Sequence, residues 1–174
     1  MTKTLGFLIL FMLSFHGSNV MAEGILDKVA VQLGWSVFVA DSPKMCFVTS
    51  APIKTVNKRD NVVVSVNRGK IQLFVAYRPK DKTEGTVTFT GGYPFSEDRN
   101  VIMKIDTTTY EMGTNGEWAF PPNDDADKKI IAAMKNGSEA VVTALSMRGT
   151  VTKDTFSLLG FTAAFKEAKR RCSL

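Results

Sequence analysis

Histidine is almost absent from this sequence. The one instance, His16, opens the short polar stretch after the amino-terminal apolar run, and nothing after it carries an imidazole. Ser-His-Asp and Cys-His nucleophile activation, histidine-ligated zinc and histidine-held haem all need that ring, so the chain beyond residue 16 lacks the means for them. Cysteine is scarce too: Cys46 and Cys172 are the only two, too few for a thiolate zinc or iron–sulfur site. No serine is followed three residues later by lysine, which removes the helical Ser-Lys dyad spacing. A phosphate-cradling loop ending in Gly-Lys-Ser/Thr and a dinucleotide fingerprint are missing as well. These absences lead us to expect no catalytic residue, no metal and no cofactor. The single acidic cluster, Asp124-Asp125-Ala126-Asp127, lacks the central glycine and closing glutamate of a calcium loop. Standing before Ile130, Ile131 and Met134, it reads as a helix amino terminus, where carboxylates suit free N–H groups and the helix dipole.

Long hydrophobic runs are also lacking, apart from Leu5 to Phe15. That run has eleven residues, well short of the roughly 20 that cross a bilayer. Preceded by Lys3 and followed by a polar stretch and Val20-Met21-Ala22, it has the three regions of a secretory signal peptide. We expect residues 1–22 to be removed between Ala22 and Glu23, and residues 23–174 to form a single domain of the periplasm or secreted fraction, with no transmembrane segment. In such an oxidising compartment the even pair Cys46 and Cys172 reads as one disulfide; the alternative is two separate buried thiols. Lys and Arg number 22 against 17 Asp and Glu, and removal of Lys3 leaves a net charge of +4. This mild excess is spread along the chain and interrupted by acids, unlike the gathered basic stripe of a nucleic-acid binder.

What the sequence has in quantity is β-type segments. Trp35–Ala40, Met45–Ser50, Asn61–Val66, Ile71–Tyr77, Gly85–Thr90, Asn100–Ile105, Thr108–Met112 and Glu117–Phe120 are rich in β-branched and aromatic residues and bounded by turn formers. Asn67–Lys70 and Thr114–Gly116 read as hairpin turns. Ala140–Met147 and Thr150–Leu158 form a closing hairpin around Arg148-Gly149. Helical spacing is expected at about 124–136 and 160–170, and in a short amphipathic stretch containing Ile25, Leu26, Val29 and Leu33. The order implies an all-β, two-sheet sandwich with two short helices.

Five stretches carry a resemblance: Val66-Asn-Arg-Gly69, Phe89-Thr-Gly-Gly-Tyr-Pro-Phe95, Gly116-Glu-Trp118, Ser146-Met-Arg-Gly-Thr150 and Asp154-Thr-Phe-Ser-Leu-Leu-Gly-Phe-Thr-Ala-Ala164, ending in Cys172. Together they resemble the invasion-associated locus B family from about Trp35 to Cys172. The resemblance implies an exported protein of Gram-negative, mainly alphaproteobacterial, envelopes with an immunoglobulin-like β-sandwich. It implies an association with host-cell invasion, and it carries over no catalytic residue. The expected function is therefore a non-enzymatic binding module for a protein or glycan of the envelope or host surface, not for nucleic acid. Tyr93, Arg99 and Trp118 are the candidate binding residues, the two aromatics being read as exposed on loops. The alternative is a glycan hydrolase using carboxylates alone, with Glu84, Asp98, Glu111 and Glu117 as candidates.

Overall fold

Strands form in this chain where alternating residues send every second side chain into a shared core. The computed structural model describes residues 27–41, 43–81 and 85–173. The signal segment 1–22, the cleavage point between Ala22 and Glu23, and Glu84 lie outside the described residues. In chain order these form β1 (Asp27–Gln32), β2 (Trp35–Asp41), β3 (Lys44–Ser50), β4 (Lys54–Arg59), β5 (Val62–Val63), β6 (Gln72–Tyr77), β7 (Thr86–Thr90), β8 (Val101–Ile105), β9 (Thr108–Asn115) and β10 (Trp118–Phe120). Helix α1 (Asp124–Asn136), β11 (Glu139–Leu145), β12 (Val151–Ser157) and helix α2 (Phe161–Cys172) follow. The all-β sandwich with two short helices expected from the sequence is what the chain forms.

Every pairing is antiparallel, in the order β1-β2-β3-β6-β7-β10-β9-β8-β11-β12-β4-β5. The long strand β9 belongs to both layers: Thr108–Met112 pairs with β8, and from Gly113 onward it pairs with β10. A strand that changes sheet in this way makes the corner of a sandwich. The inner face of the first sheet is covered at one end by the second sheet, where Phe89 meets Phe156 edge-on at 6.1 Å. At the other end it is covered by α2, where Phe161 meets the fully buried Trp35 at 4.9 Å. The Trp35 indole N–H donates to the Ser157 carbonyl, tying the layers together. Cys46 on β3 and Cys172 at the end of α2 are bonded across 126 residues, with Cα atoms 5.8 Å apart.

Helix α1 is capped by the Asn123 side chain, which accepts from Ala126 N–H. The aspartates that follow occupy its first turn, and Gly137 closes it. Asp127 departs from the capping role. It is buried, and its Oδ1 accepts from Val87 N–H at 2.6 Å, pinning the helix to β7. Burial pushes its carboxyl up to about 6, aided by the nearby Asp124 charge and opposed by the Val87 hydrogen bond.

Three local expectations are corrected. The stretch Val29 to Leu33 is strand β1 followed by a turn, not a helix, while Ile25 and Leu26 lie outside the described residues. Leu33 and Gly34, both at positive φ, turn it back onto β2, and pairing with that strand overrides the local spacing. Asn61–Val66 is a strand only at Val62–Val63, because Asp60 and Asn61 at positive φ make a tight turn from β4, a strand the sequence reading missed. Asn67–Lys70 is not a hairpin turn: Gly69 N–H donates to Gly92 O, so this segment is held by a distant loop.

Candidate functional site

Four of the five stretches that carry the resemblance meet at one place, a cleft of about 820 Å3 whose lining includes Val66–Arg68, Gly92–Pro94, Glu117 and the turn from Ser146 to Thr150. Its size falls within the ordinary range for ligand pockets. The fifth stretch supplies its support from beneath through Asp154.

Asp154 occupies an inward position of β12, between the buried Thr152 and Phe156, and is 0% exposed. A bare carboxylate there would be costly, and Arg68 answers it with a bidentate pair: Nη1 to Oδ1 at 2.8 Å and Nη2 to Oδ2 at 2.6 Å. Thr55 Oγ1 also donates to Asp154 Oδ1 at 2.9 Å. Two further guanidinium N–H groups reach Gly91 O at 2.9 Å and Asn57 Oδ1 at 3.2 Å. Arg68 also lies 5.0 Å from the Tyr93 ring centroid, a cation–π contact. The Tyr93 hydroxyl bonds Thr152 Oγ1 at 2.5 Å, and burial raises its pKa above the ordinary phenol value against the lowering influence of Thr152 and Arg68. The phenol therefore stays protonated at neutral pH. The cleft floor is a network whose charges neutralise one another.

The loops fit closely around this floor. Gly92 sits at φ +71°, and a Cβ there would come within 2.6 Å of the Gly69 backbone. Glycine is thus required where the Val66–Gly69 and Phe89–Phe95 segments touch. On the opposite wall, Ser146 N–H donates to Thr150 O, and Ser146 Oγ accepts from Thr150 N–H. This tight turn presents Met147, 68% exposed, and the exposed Arg148 at its tip. Arg59 completes the rim, its Nη2 donating to Thr150 Oγ1 at 2.8 Å. Arg59 and Arg148 face one rim carboxylate, Glu117, so the mouth is basic.

The three candidate binding residues are not brought together. Tyr93 is in the cleft but half-buried and hydrogen-bonded, so the expectation of an exposed loop aromatic is corrected. Trp118 is exposed, yet it lies on strand β10 rather than a loop, beside Phe74 on the first sheet. Arg99 is exposed in the bend before β8, and it does not line the cleft. The carboxylates are likewise dispersed: Glu117 lines this cleft, Glu111 lines a separate depression and accepts from Asn100, and Asp98 is exposed outside both. Among the described residues no group of three His, Cys, Asp or Glu is placed to hold a metal ion. Arg68 and Asp154 were missed as site residues. A charged residue at an inward position of an alternating strand, as at Asp154, was the available signal.

No curated protein matches the sequence significantly. The crystal structure of invasion associated protein b from Bartonella henselae is similar, with a TM-score of 0.56 at 15% identity, covering 86% of this chain and 99% of that one. At that identity the likeness speaks for the fold alone. The family described as invasion associated locus B (IalB) protein matches residues 35–169, most of the chain, and so the chain belongs to the invasion associated locus B family.

Proposed function

We propose that this chain is an exported envelope protein that works by binding a partner, with no reaction of its own, and that the cleft mouth is where it binds. Residues 1–22 direct export, and Glu23 begins a mature single domain ending at 174. The carrying observation is the division of labour in the cleft. The buried charged groups, Arg68 and Asp154, are consumed by each other and by Asn57, Thr55 and Gly91, while Met147, Arg148 and Arg59 stand at the rim. Mutually neutralising groups shape a surface, and arginine with apolar neighbours supplies the anchors of binding surfaces. The family's name, and that of the similar Bartonella protein, support a contribution to host-cell association or invasion. The disulfide supports an oxidising location. Among the described residues no helix is long and apolar enough to cross a membrane.

The test compares capture with turnover. Purified mature protein, Met147→Ala/Arg148→Ala, and Asp98→Asn, Glu111→Gln and Glu117→Gln are each presented to intact envelopes and to isolated envelope glycans. We expect capture of one specific envelope component by wild type, its loss in the rim variant, and no hydrolysis by any of them. A turnover that one carboxylate variant abolishes while capture persists would replace this reading with the hydrolase.

A further inference from the structure

Both covers of the first sheet, the second sheet and helix α2, lie on its inner side, where Trp35, Val37, Cys46, Val48, Leu73, Val75, Val87 and Phe89 point. The alternate residues of the same strands therefore face outward, away from both covers. Across that outer face runs a chain of rings. Phe38 stacks on Phe47 at 5.0 Å, Phe47 meets Phe74 at 6.1 Å, and Phe74 meets Trp118 at 5.9 Å. Trp118 is the exposed end, at 44%.

No outward residue of β2, β3, β6, β7 or β10 on this face is charged, in a sequence with 39 charged side chains counting 22 basic and 17 acidic. Lys28 on the edge strand β1 stands opposite Phe38 in register. Between the rings stand hydroxyls and amides instead. Phe74 is flanked in register by Thr49 and Thr88, and Trp118 by Thr90 and Asn115.

We propose that this face is a second binding surface, separate from the cleft, for an uncharged pyranose glycan chain. A pyranose offers apolar C–H faces that pack on aromatic rings and a girdle of hydroxyls that exchange hydrogen bonds with neutral hydroxyl and amide groups. Rings alternating with threonine, asparagine and glutamine across adjacent strands match both features. A neutral ligand also fits the lack of charge at the outward positions of β2, β3, β6, β7 and β10, since an acidic glycan would be served by the lysines placed elsewhere on the molecule. A purely protein contact is less well matched, because the threonines between the rings would leave hydroxyls unpaired in a dry interface.

The chain's two tryptophans separate the readout cleanly, because Trp35 is fully buried and only Trp118 is exposed. The mature protein is titrated with uncharged oligosaccharides of glucose, galactose and N-acetylglucosamine, following tryptophan emission and retention on the same sugars immobilised. At least one is expected to shift the emission and retain the protein, with affinity insensitive to salt. Trp118→Ala should lower that affinity about tenfold or more, as loss of a central aromatic anchor does. Thr88→Lys, which sets a charge in the middle of the face, should do the same without removing a ring. Melting curves confirm that both variants fold, and Arg148→Ala at the cleft should leave sugar binding intact. The proposal is overturned if folded wild type retains none of these sugars, if only acidic glycans bind, or if both face variants bind as wild type does. Concentration-dependent self-association lost in Trp118→Ala, without sugar binding, would assign the face to a second copy of the chain instead.

Discussion

Replacing Arg68 with alanine would leave the Asp154 carboxylate buried without its partner, and such a break costs about 3–5 kcal/mol. Urea denaturation should register that loss, while Arg68→Met combined with Asp154→Leu should cost much less than the two single changes together, a coupling a double-mutant cycle measures directly. Asp127 gives a prediction in pH. Its folded-state pKa is about 6 against an ordinary 3.8, so the folded protein holds this proton more tightly than the unfolded chain does. The resulting stabilisation is complete below about pH 4 and is lost as pH rises through about 6. Asp127→Asn, which can still accept from Val87 N–H, should flatten that part of the stability profile, as denaturant midpoints across the range will read. At this scale the sequence was only partly legible. Cys46 and Cys172 could be paired from their number and compartment, but Tyr93 looked like an exposed anchor because nothing local announces that Arg68 lies 5.0 Å from its ring and Thr152 holds its hydroxyl. Those partners arrive from segments 25 and 59 positions away, counting from Arg68 and to Thr152.

Among the elements, the strands with clean alternation and the two helices were legible because their own residues carry the period. Helix α1 ends where Gly137 stops it, and the buried face of α2 is the expected Phe161, Ala164, Phe165 and Ala168. Elements whose form depends on a neighbour were not. Strand β1 exists through its pairing with β2, and β4 carries Lys54, Asn57, Lys58 and Arg59, a polar composition that becomes strand because it borders β12. The Asp60-Asn61 turn was readable in principle, since these residues tolerate positive φ better than most. The contact between the Gly69 and Gly92 loops supplies a test here. Gly92→Ala would drive a Cβ to 2.6 Å from the Gly69 backbone at a φ of +71°, so it should destabilise the fold measurably. It should also open the cleft, seen as faster amide exchange at Gly69, whose N–H is bonded to Gly92 O.

For the whole molecule, the disulfide closes nearly the entire described fold, joining β3 to the last turn of α2. In the loop-entropy account a loop of this size contributes on the order of 4–5 kcal/mol, so reduction should lower the melting temperature sharply without abolishing a core that is already extensive. Intact mass of protein recovered from its native envelope should correspond to a chain starting at Glu23 with two hydrogens fewer than the reduced form. The fold class, the disulfide and the family could be reached from the sequence. The cleft could not, because it exists only when loops from β5–β6, β7–β8 and β11–β12 converge over Asp154. Its claim to be a binding surface is tested most directly by oxidative footprinting of the mature protein free and bound to intact envelopes. Met147, exposed at the rim, should oxidise readily in the free protein and become protected on binding, with protection lost in Arg148→Ala. Unchanged Met147 oxidation in protein demonstrably held by the envelope would contradict the account.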